Sequence, residues 1–411
     1  MDSYTDRQQR IPGFSQHVLN KARIFVSGAG ATGCHLIQNL GLLGANYIFV
    51  ADMDHIEGSN LSRNCLNGKE DLGKKKAAVA AAAFERLNVL DGKADFYSGN
   101  IFNLGEGVFR RCDVIMGCLD NMQARIYTSR LCKLLRKPYI DVGIEALNWT
   151  RAVFSADPTE PCFACWMTEE QYNKELIQHR NSCDVSRKIA VEEKKIPTIA
   201  ISAAEVAASA AGQMLLVLHH QADSNSILPK PKAGMKFYTF NNDKTFSTAL
   251  CRRETCPNHV SYDDFGGVQE TPMSAHWTLK EVLKWVEEKY GTGYYLSTEK
   301  DSVIVAKGFC TTGFCKSCNT PIEIFKNQYY TYESDLFCPE CKSKAMPASH
   351  LSNAAVIHHF ENTLDDRILN MTLEQLGIPL AHILEFDHVS DEVMPIFLEL
   401  TADIPEIMPK L

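Results

Sequence analysis

Three glycines between two apolar runs form the stretch of this sequence with the clearest chemistry. Residues 24–26 and 48–50 are apolar, a pattern that predicts two buried strands. The G-x-G-x-x-G turn between them is made of Gly28, Gly30 and Gly33. Such a turn lets backbone N–H groups approach a phosphate chain, whose charge then lies at a helix N-terminus. By itself the turn predicts a nucleotide site of a kind that NAD and FAD enzymes also have.

Charged and amide side chains downstream of the turn narrow the nucleotide class. Asp52 ends the second apolar run, where a carboxylate meets ribose hydroxyls in dinucleotide sites. The further candidates are Asp54, Asn60, Arg63, Lys76, Asp120 and Asn121. A dinucleotide has no need of them. Arg63 and Lys76 suit three anionic phosphates, and Asp120 suits Mg²⁺, a hard cation that prefers oxygen ligands. The set therefore predicts a nucleoside triphosphate site with Mg²⁺, in which charge is neutralised at the reacting phosphates.

Each of these residues also has an ordinary structural explanation. Arg63 or Lys76 alone is typical of a solvated charge on a helix, and Asp120 alone could be a helix N-cap. Their joint spacing favours the triphosphate site. It also argues against an NAD(P)-dependent oxidoreductase, in which Arg63, Lys76 and Asp120 would have no role.

Two groups of cysteine and histidine residues have the spacing of zinc ligands. Cys162 and Cys165 form C-x-x-C, and Cys256 and His259 form C-x-x-H. Two such pairs can supply a tetrahedral Cys₃His site. The alternative is a pair of buried thiols, and Cys251 is a possible substitute ligand.

The second group has the spacing of a zinc ribbon. Its ligands are two C-x-x-C pairs in turn-like surroundings, Cys315 with Cys318 and Cys338 with Cys341. We expect Zn²⁺ at both groups, two ions per chain, and a zinc ribbon inserted at residues 308–346. The sequence does not say whether the ribbon binds a partner or only holds the insert together.

Cys183 lies in a polar stretch and is the candidate nucleophile. His179, Arg180 and Arg187 could lower its pKa and favour the thiolate, which is the nucleophilic form. If Cys183 is not the nucleophile, Cys251 is the next candidate. The remaining cysteines outside the two zinc groups lie mainly in apolar segments and are predicted to be core residues; they are Cys34, Cys65, Cys112, Cys118, Cys132 and Cys310.

The elements that must position these residues alternate between strand and helix signals. Residues 23–150 predict a doubly wound parallel α/β sheet. Its further elements are helices at about 34–44, 74–88 and 122–136 and strands at 114–118 and 139–142. Beyond it the sequence predicts a strand and a polar loop in 151–182, a small-residue helix at 199–220, a linker at 223–236 and a hairpin at 237–248. From Trp277 a new domain is expected, with a helix at 278–286 and strands at 294–296 and 303–305.

Composition is typical of a soluble globular protein. Hydrophobic residues make up 45% and charged residues 22% of the 411 residues. A net charge of −8 without long charged runs argues against a protein built mainly to bind nucleic acid. The N-terminal segment lacks the apolar core of a signal peptide, and no run reaches the ~18 apolar residues of a spanning helix. The fifteen cysteines then favour thiols and metal ligands over disulfides, so we expect a cytoplasmic protein without a membrane partner.

The motifs around the nucleotide site resemble those of the ubiquitin-activating enzyme and ThiF–MoeB adenylyltransferase superfamily. They are D-x-D-x-I-x-x-S-N-L-x-R at 52–63, the downstream Lys76, and C-x-D-N at 118–121. The resemblance covers roughly residues 1–270 and implies a Rossmann-like adenylation domain with a crossover loop. It implies that Asp52 binds ribose and that Asp120 holds Mg²⁺. The residues that it implies as phosphate contacts are Asn60, Arg63 and Lys76.

The same resemblance implies a homodimer and a covalent step. In the family an N-terminal arginine reaches the phosphates bound by the partner subunit. Here the text Tyr4-Thr5-Asp6-Arg7-Gln8 assigns this role to Arg7, with Arg10 as the alternative. Cys183 lies in the segment that resembles the crossover loop, where several relatives carry the cysteine that takes the activated carboxyl group.

The C-terminal third has a resemblance of its own. Residues 277–307 and 371–400 resemble the ubiquitin-fold domain that closes eukaryotic activating enzymes and recruits a ubiquitin-conjugating enzyme. We therefore expect an α+β ubiquitin-fold domain at 275–411 that binds such an enzyme. The alternative is an unrelated small α+β domain.

Together these features predict an activating enzyme for a ubiquitin-like protein. The enzyme would adenylate the C-terminal carboxylate of that protein with ATP and pass it to a cysteine as a thioester. It resembles the compact activators of bacterial ubiquitin-like conjugation operons, some of which are linked to antiviral defence. One alternative is an adenylyltransferase for a sulfur-carrier protein in thiazole or molybdopterin-type biosynthesis. Another is a non-catalytic subunit of a heterodimeric activator.

Overall fold

The chain forms two compact units in the computed structural model. The structure describes residues 4–180, 197–231, 233–298, 308–315, 317–327, 337–343, 345–347 and 356–411. The first unit comprises Met1–Glu169, Lys195–Ser261 and Ile404–Leu411. The second unit comprises Glu170–Lys194 and Tyr262–Asp403.

Helices and strands alternate through the first unit, and the helices of both units are numbered together. In chain order the described α-helices are α1 Asp6–Gln9, α2 Gln16–Leu19, α3 Ala31–Leu43, α4 Lys76–Leu87, α5 Glu106–Arg110, α6 Met122–Leu134, α7 Glu169–Arg180, α8 Ala200–Ala222, α9 Leu279–Tyr290, α10 Asp366–Leu369 and α11 Ile404–Ile407. The strands of the first unit are β1 Arg23–Ser27, β2 Tyr47–Ala51, β3 Lys93–Tyr97, β4 Val114–Gly117, β5 Tyr139–Glu145, β6 Asn148–Phe154, β7 Gly234–Thr239 and β8 Lys244–Thr248. The predicted helices and strands of 23–150 are confirmed within a few residues at each end.

The first unit is built on one eight-stranded sheet with the order β3-β2-β1-β4-β5-β6-β7-β8. The strands from β3 to β5 pair in parallel, and β6, β7 and β8 add antiparallel pairs. All five residues of β2 are buried, because a parallel strand covered by helices on both faces needs apolar side chains on both. The predicted mixed α/β class with a Rossmann-like sheet is confirmed.

The small-residue helix α8 is a core element. It buries mainly Ala, Ser and Val side chains and packs against α3 and β5, since small residues allow close approach. By length and composition α8 could cross a membrane, and half of its most apolar stretch is buried inside the protein. Among the described residues it is the only helix that meets this criterion, and burial of this extent is also typical of a core helix.

Two sequence predictions need correction. The polar loop expected up to residue 182 is wrong, because α7 forms from Glu169 to Arg180. Its residues are mostly polar helix formers, so composition alone could not separate a solvated helix from a loop. The hairpin is confirmed but starts at Gly234, which shortens the predicted linker. The predicted strand at 303–305 lies outside the described residues.

The described residues of the second unit form two sheets. Its strands are β9 Val268–Thr271, β10 Tyr294–Ser297, β11 Phe309–Cys315, β12 Pro321–Asn327, β13 Ala345–Pro347, β14 Val356–Ile357, β15 His359–Phe360, β16 Ile383–His388 and β17 Ile396–Leu400. A five-stranded sheet has the order β15-β10-β16-β17-β9, and its core includes the apolar face of α9. Thr278 and Glu281 form a capping box that starts α9, with Oγ1 of Thr278 accepting from the backbone N–H of Glu281 at 3.3 Å. β11 pairs with β12, β13 and β14 in a second sheet.

Candidate nucleotide site and metal centres

The predicted nucleotide residues meet at the point where the strand order reverses. From β1 the chain continues to β2 and β3 on one side, and β4 and β5 lie on the other. β1 and β4 are parallel neighbours, and both end at this edge of the sheet. In open α/β sheets, ligands bind outside the carboxyl ends of strands at such a switch point. The fold therefore places the glycine turn after β1 beside the loop after β4.

Two of the three glycines are required by the packing of the turn. Gly28 has φ of +93°, and a Cβ atom there would lie 2.4 Å from the carbonyl oxygen of Cys118. A Cβ atom on Gly33 would lie 1.9 Å from the carbonyl oxygen of Gly28. At Gly30, which precedes the first residue of α3, the Cβ position has no atom within 4 Å. The turn is therefore closed at its outer glycines and open at the middle one, where a phosphate could approach the backbone.

Asp52 ties the glycine turn to the segment after β2. Its Oδ2 accepts a hydrogen bond from the backbone N–H of Ala29 at 2.7 Å, and its Oδ1 accepts from Asp54 at 2.8 Å. Burial raises the pKa of Asp52. Asp54 in turn forms an ion pair with Nζ of Lys76 at 2.8 Å, and the Lys76 side chain is only 11% exposed. These contacts bring Asp52, Asp54 and Lys76 into one group with the turn.

The segment with Asn60 and Arg63 is anchored to the same turn by a residue that the sequence did not reveal. Oδ1 of Asn60 accepts from the N–H of Glu57 at 3.0 Å, and Arg63 donates to the carbonyl oxygen of Ser59 at 2.6 Å. The buried Asn64 donates from Nδ2 to the carbonyl oxygen of Ala29 at 3.1 Å. Because Asn64 is one amide among several in a polar stretch, no spacing signal marked it.

The loop after β4 places Asp120 at the open edge. The backbone N–H of Cys118 donates to the carbonyl oxygen of Ser27 at 2.8 Å, which holds this loop against the glycine turn. Asp120 is exposed and makes no hydrogen bond within the part of the chain that the structure describes. Asn121 is the N-cap of α6, because its Oδ1 accepts from the N–H of Ala124 at 3.0 Å. Asp120 is therefore not the cap, and its carboxylate oxygens suit a hard cation such as Mg²⁺.

A buried ion pair close to this loop also escaped sequence analysis. Nε of Arg125 on α6 donates to Oδ1 of Asp141 at 3.0 Å, and the hydroxyl of Tyr139 donates to the same oxygen at 2.7 Å. Asp141 is 1% exposed. A carboxylate in the apolar strand β5 was a usable signal, since a buried charge requires a partner. The pair fixes the first turns of α6 against the sheet.

The N-terminal arginines differ in how firmly they are held. Arg10 makes two hydrogen bonds to Asp6, at 3.0 and 3.2 Å. Arg7 is 85% exposed, and its Nε lies 3.9 Å from Asp6. The guanidinium of Arg7 is thus the more available of the two for a contact outside its own chain.

The candidate nucleophile Cys183 and the neighbouring Arg187 lie outside the described residues, which in this part of the chain reach Arg180 of α7. The alternative nucleophile Cys251 is described and is exposed.

The first cysteine group has the arrangement that a tetrahedral metal site requires. Sγ of Cys162 lies 3.8 Å from Cys165 and 3.6 Å from Cys256, and Cys165 lies 2.9 Å from Nε2 of His259. Zinc–sulfur bonds of about 2.3 Å at tetrahedral angles give sulfur separations near ~3.8 Å. Nδ1 of His259 lies 2.7 Å from the carbonyl oxygen of Pro158, a contact that orients Nε2 toward the thiols. These four residues fit Zn²⁺.

The second group joins two matching turns. One turn begins at Cys315, the last residue of β11, and contains Cys318; the other turn contains Cys338 and Cys341. The sulfur separations across the two turns are 3.4 Å, 3.6 Å and 3.5 Å. In each turn the residue after the second cysteine, Asn319 or Lys342, has positive φ. Its N–H donates to the carbonyl oxygen of the first cysteine at 3.0 Å. This repeated geometry presents four sulfurs to one point and also fits Zn²⁺. We call these two turns the paired cysteine turns.

The prediction that the remaining cysteines are core residues holds with one exception. Cys34, Cys112, Cys132 and Cys310 are buried, and Cys118 is half-buried. Burial raises the pKa of Cys118 to about 12, so it stays a neutral thiol. Cys65 is exposed, so the prediction was wrong for it. It lies in the irregular segment after Arg63, where apolar neighbours do not define a buried face.

Comparison with known proteins identifies the family. The sequence profile of the ThiF family matches residues 5–258. The chain belongs to the ThiF family, a family of ATP-binding adenylyltransferases. It is 34% identical over 151 residues to SUMO-activating enzyme subunit 2 of Dictyostelium discoideum, a match that covers 36% of this chain and 22% of that protein. It is 36% identical over 156 residues to human ubiquitin-like modifier-activating enzyme 7, covering 35% of this chain and 15% of that protein.

The chain thus spans less than a quarter of the length of either relative. Among solved structures, E. coli MccB with ATP is similar at a TM-score of 0.48 and 19% identity, covering 60% of this chain and 68% of that chain. MccB has also been solved in complex with N-formylated MccA, at a TM-score of 0.47 and 18% identity, covering 60% of this chain and 69% of that chain.

Proposed function

We propose that this chain uses ATP and Mg²⁺ to adenylate the C-terminal carboxylate of a ubiquitin-like protein. The observation that carries the proposal is the convergence of the glycine turn, Asp52, Lys76 and Asp120 at the switch point between β1 and β4. Membership of the ThiF family and similarity to proteins named SUMO- and ubiquitin-activating enzymes support the choice of substrate.

Each side chain has a role that its position allows. The open backbone at Gly30 faces the phosphates, and the carboxylate of Asp52, held by two backbone N–H groups, accepts from ribose hydroxyls. Arg63 and Lys76 donate to phosphate oxygens and neutralise the charge that develops there. Asp120 would hold Mg²⁺, which supplies further neutralisation of the phosphates.

The ion pair with Asp54 keeps Lys76 available without leaving its charge unpaired. The Lys76 ammonium has three N–H donors, and Asp54 uses one of them at 2.8 Å. The remaining donors can bind phosphate oxygens. In the adenylation step the carrier carboxylate attacks the α-phosphorus, an acyl phosphate bond forms, and the bond to the departing pyrophosphate breaks.

The later steps form the second part of the proposal. Cys183 attacks the acyl adenylate, a thioester forms and AMP leaves; the thioester then passes to a cysteine of a conjugating enzyme. The region 275–411 serves as a ubiquitin-fold domain that binds this enzyme, and each cysteine group holds a structural Zn²⁺.

The exposed Arg7 acts on the site of a second copy in a homodimer. Mixing Arg7→Ala with Asp120→Ala protomers should restore activity at one hybrid site, and no recovery in proven heterodimers would contradict this arrangement.

Pyrophosphate exchange with a panel of ubiquitin-like proteins tests the first step. A matching carrier should give ATP-dependent exchange and a thioester adduct that a reducing agent removes. Cys183→Ala should keep exchange and lose the adduct. If wild type and every variant support exchange but none of them forms an adduct, the sulfur-carrier adenylyltransferase is favoured instead. An absence of exchange with every carrier, in protein that binds no ATP, would contradict adenylation itself.

A further inference from the structure

Two cysteines lie together beside the segment that carries Arg63. Cys34 is a buried residue in the first turn of α3, and Cys65 is exposed. The backbone N–H of Cys65 donates to Sγ of Cys34 at 3.4 Å. The two sulfur atoms and a ring nitrogen of His35 all lie within 4.8 Å of one another. None of these three residues has a role in the adenylation chemistry proposed above.

The surroundings of Cys65 favour its thiolate. The adjacent Cys34 thiol and the neighbouring His35 lower the pKa of Cys65 to about 5. The adjacent Cys65 thiolate and burial raise the pKa of Cys34. Cys65 is therefore ionised at neutral pH and open to solvent, with a second thiol beside it. Reactive cysteines that sense oxidants have this combination of low pKa, exposure and a resolving neighbour.

We propose that Cys34 and Cys65 form a peroxide-sensitive thiol pair that closes to a disulfide. The Cys65 thiolate attacks one peroxide oxygen, the O–O bond breaks, and Cys65 becomes a sulfenic acid while the other oxygen leaves as water after protonation. The sulfur of Cys34 then attacks the sulfur of Cys65. The S–S bond forms, the S–O bond breaks, and the hydroxide takes the Cys34 thiol proton to leave as water. The two thiols lose two electrons, which reduce the peroxide.

Closure of the disulfide moves the segment that bears Arg63. The sulfur atoms must approach to about 2.05 Å, which draws Cys65 toward α3. The carbonyl oxygen of Arg63 already lies 3.8 Å from Sγ of Cys34, and the adjacent Asn64 holds Ala29 of the glycine turn. Oxidation therefore shifts Arg63 and the turn together. Reduction of the disulfide restores the open arrangement.

Oxidation of the full-length protein tests the pair directly. Peroxide-treated protein is digested without reduction and its cross-linked peptides are identified by mass spectrometry. We expect a Cys34–Cys65 link that dithiothreitol removes and that Cys65→Ser abolishes. Cys251→Ser is the matched control, because Cys251 is exposed and belongs to no cysteine or histidine cluster among the described residues, and this variant should keep the link. Oxidation of Cys251 without any Cys34–Cys65 link would overturn the proposal.

Two further measurements test whether Cys65 is a reactive thiolate and not a metal ligand. Alkylation of Cys65 by iodoacetamide should change little between pH 8 and pH 6, whereas an ordinary thiol of pKa about 8.5 loses its thiolate roughly 10²-fold over that range. A fall of that size at Cys65 would contradict the proposal. Elemental analysis of untreated protein should give the same zinc content for wild type and Cys65→Ser. A zinc ion lost only in Cys65→Ser would show a metal site and overturn the thiol pair.

The effect on activity rests on the proposed function and is measured separately. Oxidised wild type should lose pyrophosphate exchange by ~10-fold or more, since a displacement of about 1 Å can cost up to ~10²-fold. Cys65→Ser should keep its exchange after the same treatment. If the protein forms the reversible disulfide but shows no exchange, adenylation is contradicted and the proposal of a thiol pair still stands. If a complete disulfide leaves exchange unchanged, the link between the thiol pair and the nucleotide site is overturned.

Discussion

The glycine turn and the paired cysteine turns hold their backbones by different means. The glycine turn is closed by main-chain packing, since Gly28 and Gly33 leave no room for a Cβ atom. The paired cysteine turns bring four sulfurs together, and two of them, on Cys318 and Cys341, belong to exposed residues. The packing of the first region is internal to the main chain, whereas the second places four thiols side by side in the arrangement of a metal site. The fold around the glycine turn should therefore tolerate loss of its ligand far better than the paired cysteine turns do.

Loss of a ligand from the paired cysteine turns should have the largest effect. Zinc binding supplies about 10–16 kcal/mol in small zinc domains, and Cys338→Ser removes one of four ligands. β11 and β12 should then lose protection in hydrogen exchange while β1 and α3 keep theirs. The control is Cys310→Ala, which alters a buried cysteine of β11 that lies outside the cluster. Equal protection in both variants would contradict the metal-dependent account.

A methyl group at the closed part of the glycine turn should have the next largest effect. In Gly33→Ala the new Cβ meets the carbonyl oxygen of Gly28 at 1.9 Å, so the backbone must shift. We expect a loss of about 1–3 kcal/mol or more in urea denaturation, as for overpacked cores. Gly30→Ala is the matched variant, because its Cβ meets no atom within 4 Å. It should stay within about 1 kcal/mol of wild type in stability but lose exchange activity. Equal destabilisation by both changes would show that the turn is not packed as described.

Removal of the α6 cap should have the smallest effect. Asn121→Ala loses one hydrogen bond to the backbone N–H of Ala124 and should cost about 1 kcal/mol in the free energy of unfolding. Exchange should fall far less than in Asp120→Ala, because Oδ1 of Asn121 already accepts the capping hydrogen bond from Ala124. If the two variants lose exchange equally, Asn121 contacts the nucleotide and the division of roles is wrong.

Residue types and local spacing were enough to predict the nucleotide site at the edge of the sheet where β1 and β4 end. The glycines, Asp52 and Asp120 follow strands whose apolar runs are continuous, and parallel strands bring their ends together. The cysteine groups were predictable for the same reason, because two short C-x-x-C or C-x-x-H pairs encode their geometry locally. The predicted sheet followed from the alternation of apolar runs and helix formers.

The missed contacts join residues that are distant in sequence or lie in irregular backbone. Asn64 acts through Ala29, and Arg125 acts through Asp141; neither pairing leaves a local pattern. The exposure of Cys65 could not be predicted, since its segment has no strand or helix periodicity. The helix α7 was missed because its polar residues suit a loop equally well.

Pyrophosphate exchange by Asp120→Ala tests the central claim most directly. Asp120 is exposed and makes no hydrogen bond among the described residues, so its removal should leave the fold and its melting temperature unchanged. With a carrier that supports exchange in wild type and with Mg²⁺ present, we predict a loss of ~10²-fold or more, as for removal of a single electrostatic stabiliser. Exchange near the wild-type rate in folded Asp120→Ala would contradict the proposed nucleotide site at the β1–β4 switch point.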